Sequence, residues 1–293
     1  RHMDLCLVVP WAGKKPSSKE VGVAMPKQTR EALETLLESG YTTVAATRII
    51  YGKLKKTDGC DIDPRRWMEE LATGSAQSTT CLPILGPSAA QVGGGLTLLT
   101  RLTLVPEEPD DVPSIQSHKI AETYNVVAIQ PTSQRTWELA CEQHGVDVVS
   151  LDCTQRLRFH ITRKQVDAAL EKGAKFELLY GQAMKDPSAF RFLVSTARQL
   201  THLTRGKHVI MSSGSSDAVY LRSPHDVLNL AALLDITRSG SFGCLREEPA
   251  WAVAHGRARN LVEGTVDRVL RANTAEGGVA GEVVLARGRR GGG

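Results

Sequence analysis

Phe176-Glu177-Leu178-Leu179-Tyr180 is a short apolar run set between Gly173, placed to end one helix, and Asp186-Pro187, placed to open the next. A run of that length with such boundaries reads as a buried strand of a strand–helix–strand unit. The same unit recurs along most of the chain, which restricts its fold. Parallel strands need crossover connections of one hand, leaving a closed (β/α) barrel or an open doubly wound sheet.

Taken in order, strands are expected at Asp4–Pro10, Tyr41–Ala46, Leu98–Val105, Val126–Ile129, Val146–Leu151, Phe176–Tyr180 and His208–Ser212. Helices are expected from Pro26 to Gly40, after Asp63-Pro64, over Ile115–Tyr124, from Ser133, from Thr162 to Gly173, after Asp186-Pro187, from Ser223-Pro224, and over Pro249–Ala258. Thr162 with Gln165 is a capping box, in which the two side chains satisfy each other's free amides. The near-eightfold alternation favours a TIM-like (β/α) barrel. No G-x-G-x-x-G and no Gly-Lys-Ser/Thr loop is present to bind a nucleotide.

The barrel is assigned to residues 3–262, with 74–95 as a loop insertion rich in Ser, Thr, Ala, Pro and Gly that holds one strand near Leu82–Leu85. Residues 263–293 are expected to be a Gly/Arg-rich, flexible tail, and Arg1-His2 before Met3 read as an expression remnant. The net charge is only +4, but from Arg257 onward seven Lys/Arg face four acids. That tail adds sequence-independent attraction to phosphate. No apolar run approaches the roughly 20 residues of a membrane span, and no signal peptide is evident, so an intracellular protein without membrane contact is expected. Six cysteines without a C-x-x-C pair point to reduced core thiols.

Barrel enzymes place their chemistry at the C-terminal ends of the strands. There only Asp152 is a carboxylate, and the eight histidines form no H-x-H or H-E-x-x-H pair. Metal hydrolysis needs several converging ligands, so no catalytic or metal-binding residue is assigned. The remaining candidates are basic: Arg48, Lys53, Lys55, Lys56, Arg101, Arg156, Arg158 and Arg222. Arg101 lies inside an apolar strand and needs either a carboxylate partner or a bound phosphate. Several such cations on one face would make an RNA-docking surface, and with aromatics at 5% of the chain it would contact backbone and shape rather than stack bases.

Several stretches in order carry a family resemblance: Leu99-Thr100-Arg101-Leu102-Thr103, Arg158-Phe159-His160-Ile161 leading to Phe176–Tyr180, Val209–Ser213, and Arg222-Ser223-Pro224-His225-Asp226-Val227-Leu228-Asn229-Leu230. Together they resemble the thirty-kilodalton protein subunit of nuclear ribonuclease P and ribonuclease MRP, over about Met3 to Arg259. The resemblance implies a PHP-like TIM barrel that serves as a scaffold for RNA-catalysed removal of 5′ leaders from precursor tRNA, in the nucleus and nucleolus. It further implies partners in the ribonuclease P and MRP RNAs and in small α/β protein subunits, indirect contact with precursor tRNA, and magnesium held by the RNA with no cofactor on this chain.

Arg101, Arg158 and Arg222 fall within the matching motifs, whereas Arg48, Arg156, Lys53, Lys55 and Lys56 rest on charge and placement alone. PHP-class phosphoesterases carry Asp-Leu-His-x-His on their first strand; here it reads Asp4-Leu5-Cys6-Leu7-Val8, with Cys6 and Val8 in the histidine positions. An autonomous metal-dependent phosphoesterase or nuclease is the alternative expectation. A protein-interaction module, with Arg101 and Arg158 in internal ion pairs, is a third.

Overall fold

The first strand, β1 (His2–Val8), begins an alternation of strand and helix: α1 (Lys27–Glu38), β2 (Tyr41–Tyr51), α2 (Pro64–Ala72), a two-strand excursion β3 (Thr79–Thr80) and β4 (Ala90–Val92), then β5 (Thr97–Val105) and β6 (Val126–Ile129). It continues through α3 (Gln134–Glu142), β7 (Val148–Leu151), α4 (Arg163–Glu171), β8 (Lys175–Leu179), α5 (Tyr180–Ala183), α6 (Pro187–Thr204), β9 (Val209–Ser212), α7 (Pro224–Leu233) and α8 (Glu247–Asn260). This computed structural model describes residues 2–10, 24–55, 57–72, 79–80, 90–92, 96–236 and 243–260.

Seven strands run parallel in the order β1-β2-β5-β6-β7-β8-β9, a TIM-like α/β barrel as expected. The chain just past β9 closes it. Gly214 N–H donates to Cys6 O at 2.9 Å, Val8 N–H to Ser215 O at 3.1 Å, and Ser213 Oγ to Cys6 O at 3.1 Å. Gly214 has φ +60°, and a Cβ there would meet Leu179 at 2.9 Å, so the seam requires glycine.

Side chains alternate in and out along each strand, and two inward layers result. Leu5, Ala45, Leu99, Ala128, Val148 and Ile210 form an apolar layer with Ala252 and Val253 of α8, which closes the N-terminal end. Two residues further along their strands, Thr47, Arg101, Ser150 and Ser212 are also fully buried. Outside the strands the helices cover a larger core, in which Trp137 stacks on Phe159 at 5.1 Å and tilts against Phe176 at 5.8 Å. An aromatic buried this way contributes about 1.5–3 kcal/mol.

Several expectations need correction. The first strand runs from His2 to Val8, where Asp4–Pro10 was expected, with His2 paired to Tyr41, because ladder hydrogen bonds do not depend on side-chain identity. The helix expected over Ile115–Tyr124 is two three-residue 3-10 turns, Ile115–Ser117 and Ala121–Thr123. Of its buried residues, Ile120, Ala121 and Tyr124 share one helical face but Ile115, five residues before Ile120, does not, so no single apolar stripe runs the length of the stretch. Tyr180 starts α5 instead of ending β8, and β2 continues to Tyr51.

Within the expected insertion, β3 and β4 form an antiparallel excursion paired to β5 through Ala90↔Leu98. The strand expected near 82–85, Lys56 and the tail from 261 lie outside the described residues. The five described cysteines are unpaired; four are buried and Cys60 is half-buried.

Candidate functional site

Period-two alternation places Arg101 on the same side of β5 as the interior residue Leu99. Its Nη1 lies 2.6 Å from Glu177 Oε1 and its Nη2 2.6 Å from Oε2, a bidentate pair with both side chains fully buried. Nη1 also donates to Leu5 O at 2.9 Å and Nε to Thr103 Oγ1 at 3.0 Å. Burial pushes the Glu177 carboxyl up, but the Arg101 guanidinium outweighs it and holds the group below the usual carboxylate range. The guanidinium that was expected to touch RNA is therefore directed at a carboxylate inside the barrel. It presents no donor to the surface.

The residues around that pair do not fit a divalent cation. Asp4 Oδ1 accepts from Cys6 N–H at 3.0 Å and Ser213 N–H at 3.2 Å, and burial raises its pKa toward the neutral form. Burial pushes the Cys6 thiol up to about 12, leaving it protonated, and the fixed charge of Arg101 repels a metal ion. Among the described residues no three His, Cys, Asp or Glu side chains converge as a ligand set.

At the C-terminal mouth the remaining candidates separate. Arg48 is buried on β2 and bound to Asp61 at 2.7 Å and Gly59 O at 2.8 Å, so it too is structural and not RNA-facing. Arg222 is half-buried, with Nη1 donating to Val219 O at 2.9 Å and Leu221 O at 2.8 Å. Lys53 and Lys55 are exposed after β2, whereas Arg156 and Arg158 are exposed after β7, three strands away around the ring. Between them, after β5, lie the exposed acids Glu107, Glu108 and Asp110. The expected single basic face is thus split by an acidic sector.

Arg156 and Arg158 do come together, with Leu157, Phe159 and His160, around a cleft of about 370 Å³ walled by Phe192, Ser195, Thr196 and Gln199 of α6. Sequence reasoning assigned α6 only its apolar face. A signal was available, because no acid occurs from Pro187 to Ser216 while Arg191, Arg198, Arg205 and Lys207 do.

The family model described as ribonuclease P subunit p30 matches residues 7–261. The mouse ribonuclease P protein subunit p30 is 30% identical over 252 residues, covering 85% of this chain and 88% of the mouse protein. A ribonuclease P/MRP protein subunit of Saccharomyces cerevisiae is 25% identical over 166 residues, covering 57% of this chain and 56% of the yeast protein. Among solved structures, a chain of an archaeal ribonuclease P with mature tRNA superposes with a TM-score of 0.54 at 14% identity, covering 87% of this chain and 97% of that one, a likeness of fold.

Proposed function

The chain belongs to the ribonuclease P subunit p30 family, and on that premise we propose that it is a noncatalytic protein subunit of ribonuclease P, a scaffold for RNA and for neighbouring proteins. The observation that carries the noncatalytic reading is the Arg101–Glu177 pair, a closed ion pair that fills the barrel interior beside Asp4 and Cys6, in the first-strand stretch where PHP-class phosphoesterases carry their ligand motif. An internal pair of this kind fixes strand positions and leaves recognition to the outer loops and helices. In this reading the RNA performs the cleavage of precursor tRNA with magnesium held by the RNA. The barrel contacts ribonuclease P RNA and ribonuclease MRP RNA, docks small α/β protein subunits, and meets precursor tRNA only indirectly. A nucleolar, nuclear location follows from the same reading.

The test is to purify the chain gently from its own cells and assay 5′ cleavage of precursor tRNA before and after digesting the co-purifying RNA. Activity that arrives with the protein and disappears with the RNA supports the scaffold. Cleavage that survives RNA digestion, stops on chelation and returns with metal would overturn it.

A further inference from the structure

We propose that the cleft between Arg156, Arg158 and α6, continued along the outer face of α6, binds the phosphate backbone of the assembly's RNA; this rests on the ribonuclease P reading above. The cleft joins two exposed guanidiniums to hydroxyl and amide side chains, Ser195, Thr196 and Gln199, the types that contact phosphate and sugar oxygens. On α6, Arg191, Ser195, Arg198 and His202 are exposed at i, i+4, i+7 and i+11 and so share one stripe, about 16 Å long at 1.5 Å per residue.

On four other helices an exposed arginine is answered by an acid of the same helix. On α1 Arg30 meets Glu34 at 3.0 Å, on α2 Arg66 meets Glu70 at 3.2 Å, on α3 Arg135 meets Glu138 at 3.2 Å, and on α4 Arg163 meets Asp167 at 3.4 Å. Helix α6 has no acid to offer; Asp186 before it caps its first turn, and Asp152 after β7 accepts from Thr154 and Gln155. Arg156, Arg158, Arg191 and Arg198 therefore lack a carboxylate partner among the described residues.

A polyanion fits this face better than a folded protein partner does. The exposed large hydrophobics that would form the centre of a protein interface, Tyr51, Val219 and Leu233, lie on other elements. Arginine stripes with small polar neighbours and no exposed aromatic suit backbone contact, which is how structured RNA is held.

The experiment titrates the full-length chain against the RNA that co-purifies with it, transcribed and end-labelled, at several salt concentrations. Replacing Arg156, Arg158 and Arg198 together by Gln is expected to weaken binding about 10-fold or more near 0.15 M salt. The slope of log K against log salt is expected to become shallower by about two, at roughly 0.7–0.9 per lost phosphate contact. Removing the same charge from Arg30, Arg66 and Arg135 should change affinity by no more than about threefold, and both variants should melt like the wild type, since the substituted side chains are exposed.

Unchanged affinity and slope, or equal losses in both variants, would overturn the proposal. So would intact RNA binding with a protein subunit lost from the purified assembly, which would make the face a protein interface. A wild-type chain that neither binds RNA nor co-purifies with cleavage activity would sink the ribonuclease P reading instead.

Discussion

The Lys175 ammonium, on the first residue of β8, lies 2.7 Å from the Glu248 carboxylate on α8 and ties the barrel to the helix that closes it. His208 adds its backbone N–H to Glu248 Oε1 at 3.0 Å, and the Lys175 ammonium sits 5.2 Å from the Trp251 ring centre. Burial pushes the Glu248 carboxyl up, but the His208 and Lys175 contacts win and hold its pKa down to about 2. A depressed carboxylate stabilises the fold above its ordinary pKa, and that contribution disappears as pH falls through the folded value. Melting temperatures measured between pH 6 and pH 2 should therefore fall more for the wild type than for Glu248→Gln. The difference should open below about pH 4.5 and reach no more than about 3 kcal/mol. Parallel acid profiles would show that the contact contributes nothing.

Arg101→Met leaves Glu177 buried without its counter-charge and should cost about 3–5 kcal/mol of unfolding free energy. Adding Glu177→Leu removes the orphaned charge and should recover most of that loss, giving a large coupling energy in a urea-denaturation cycle. Additive losses would mean that the two residues act independently. RNA affinity per folded molecule should be unchanged in the double variant, because neither side chain reaches the surface.

Helix propensity alone says that Gly256→Ala should stabilise α8 by roughly 1 kcal/mol. The added Cβ would lie 2.1 Å from Asn125 O, a backbone atom just before β6, so the helix must lift off the barrel floor. Overpacking of this kind costs about 1–3 kcal/mol or more and should prevail. A lower melting temperature with faster proteolysis near α8 is expected; a rise would show that the helix end yields without cost.

Chelation should leave the melting temperature of the RNA-free chain unchanged, since the Arg101 guanidinium already supplies the counter-charge to the buried Glu177 carboxylate. Differential scanning calorimetry before and after dialysis against chelator tests this directly. A drop of several degrees would reveal a structural metal.

Arg101 shows how far the sequence reaches. A charge inside Leu98–Val105 is recognisable as needing a partner, but any carboxylate or a bound phosphate would serve. Glu177 lies 76 residues away, and both guanidinium contacts run across the barrel lumen. Arg48 is similar, since Asp61 is near in sequence but only the turn of the chain after β2 brings the two together. The divided mouth was equally hidden: strand order separates Lys53 and Lys55 from Arg156 and Arg158, while sequence charge is blind to position around a ring.

What the sequence by itself determined is local. Gly173, Thr162 with Gln165, Asp186-Pro187 and Ser223-Pro224 mark helix ends through backbone conformation and capping hydrogen bonds, which act within a few residues. Repeated strand–helix units then restricted the chain to a parallel α/β fold. Only the tertiary structure decided that the loop after β9 closes the ring on Cys6 and Val8, that Arg101 turns inward, and that the outer face of α6 stands beside Arg156 and Arg158. Those outcomes depend on burial and on electrostatic pairing across long sequence separations, where the partner is chosen by the whole barrel and not by neighbouring residues.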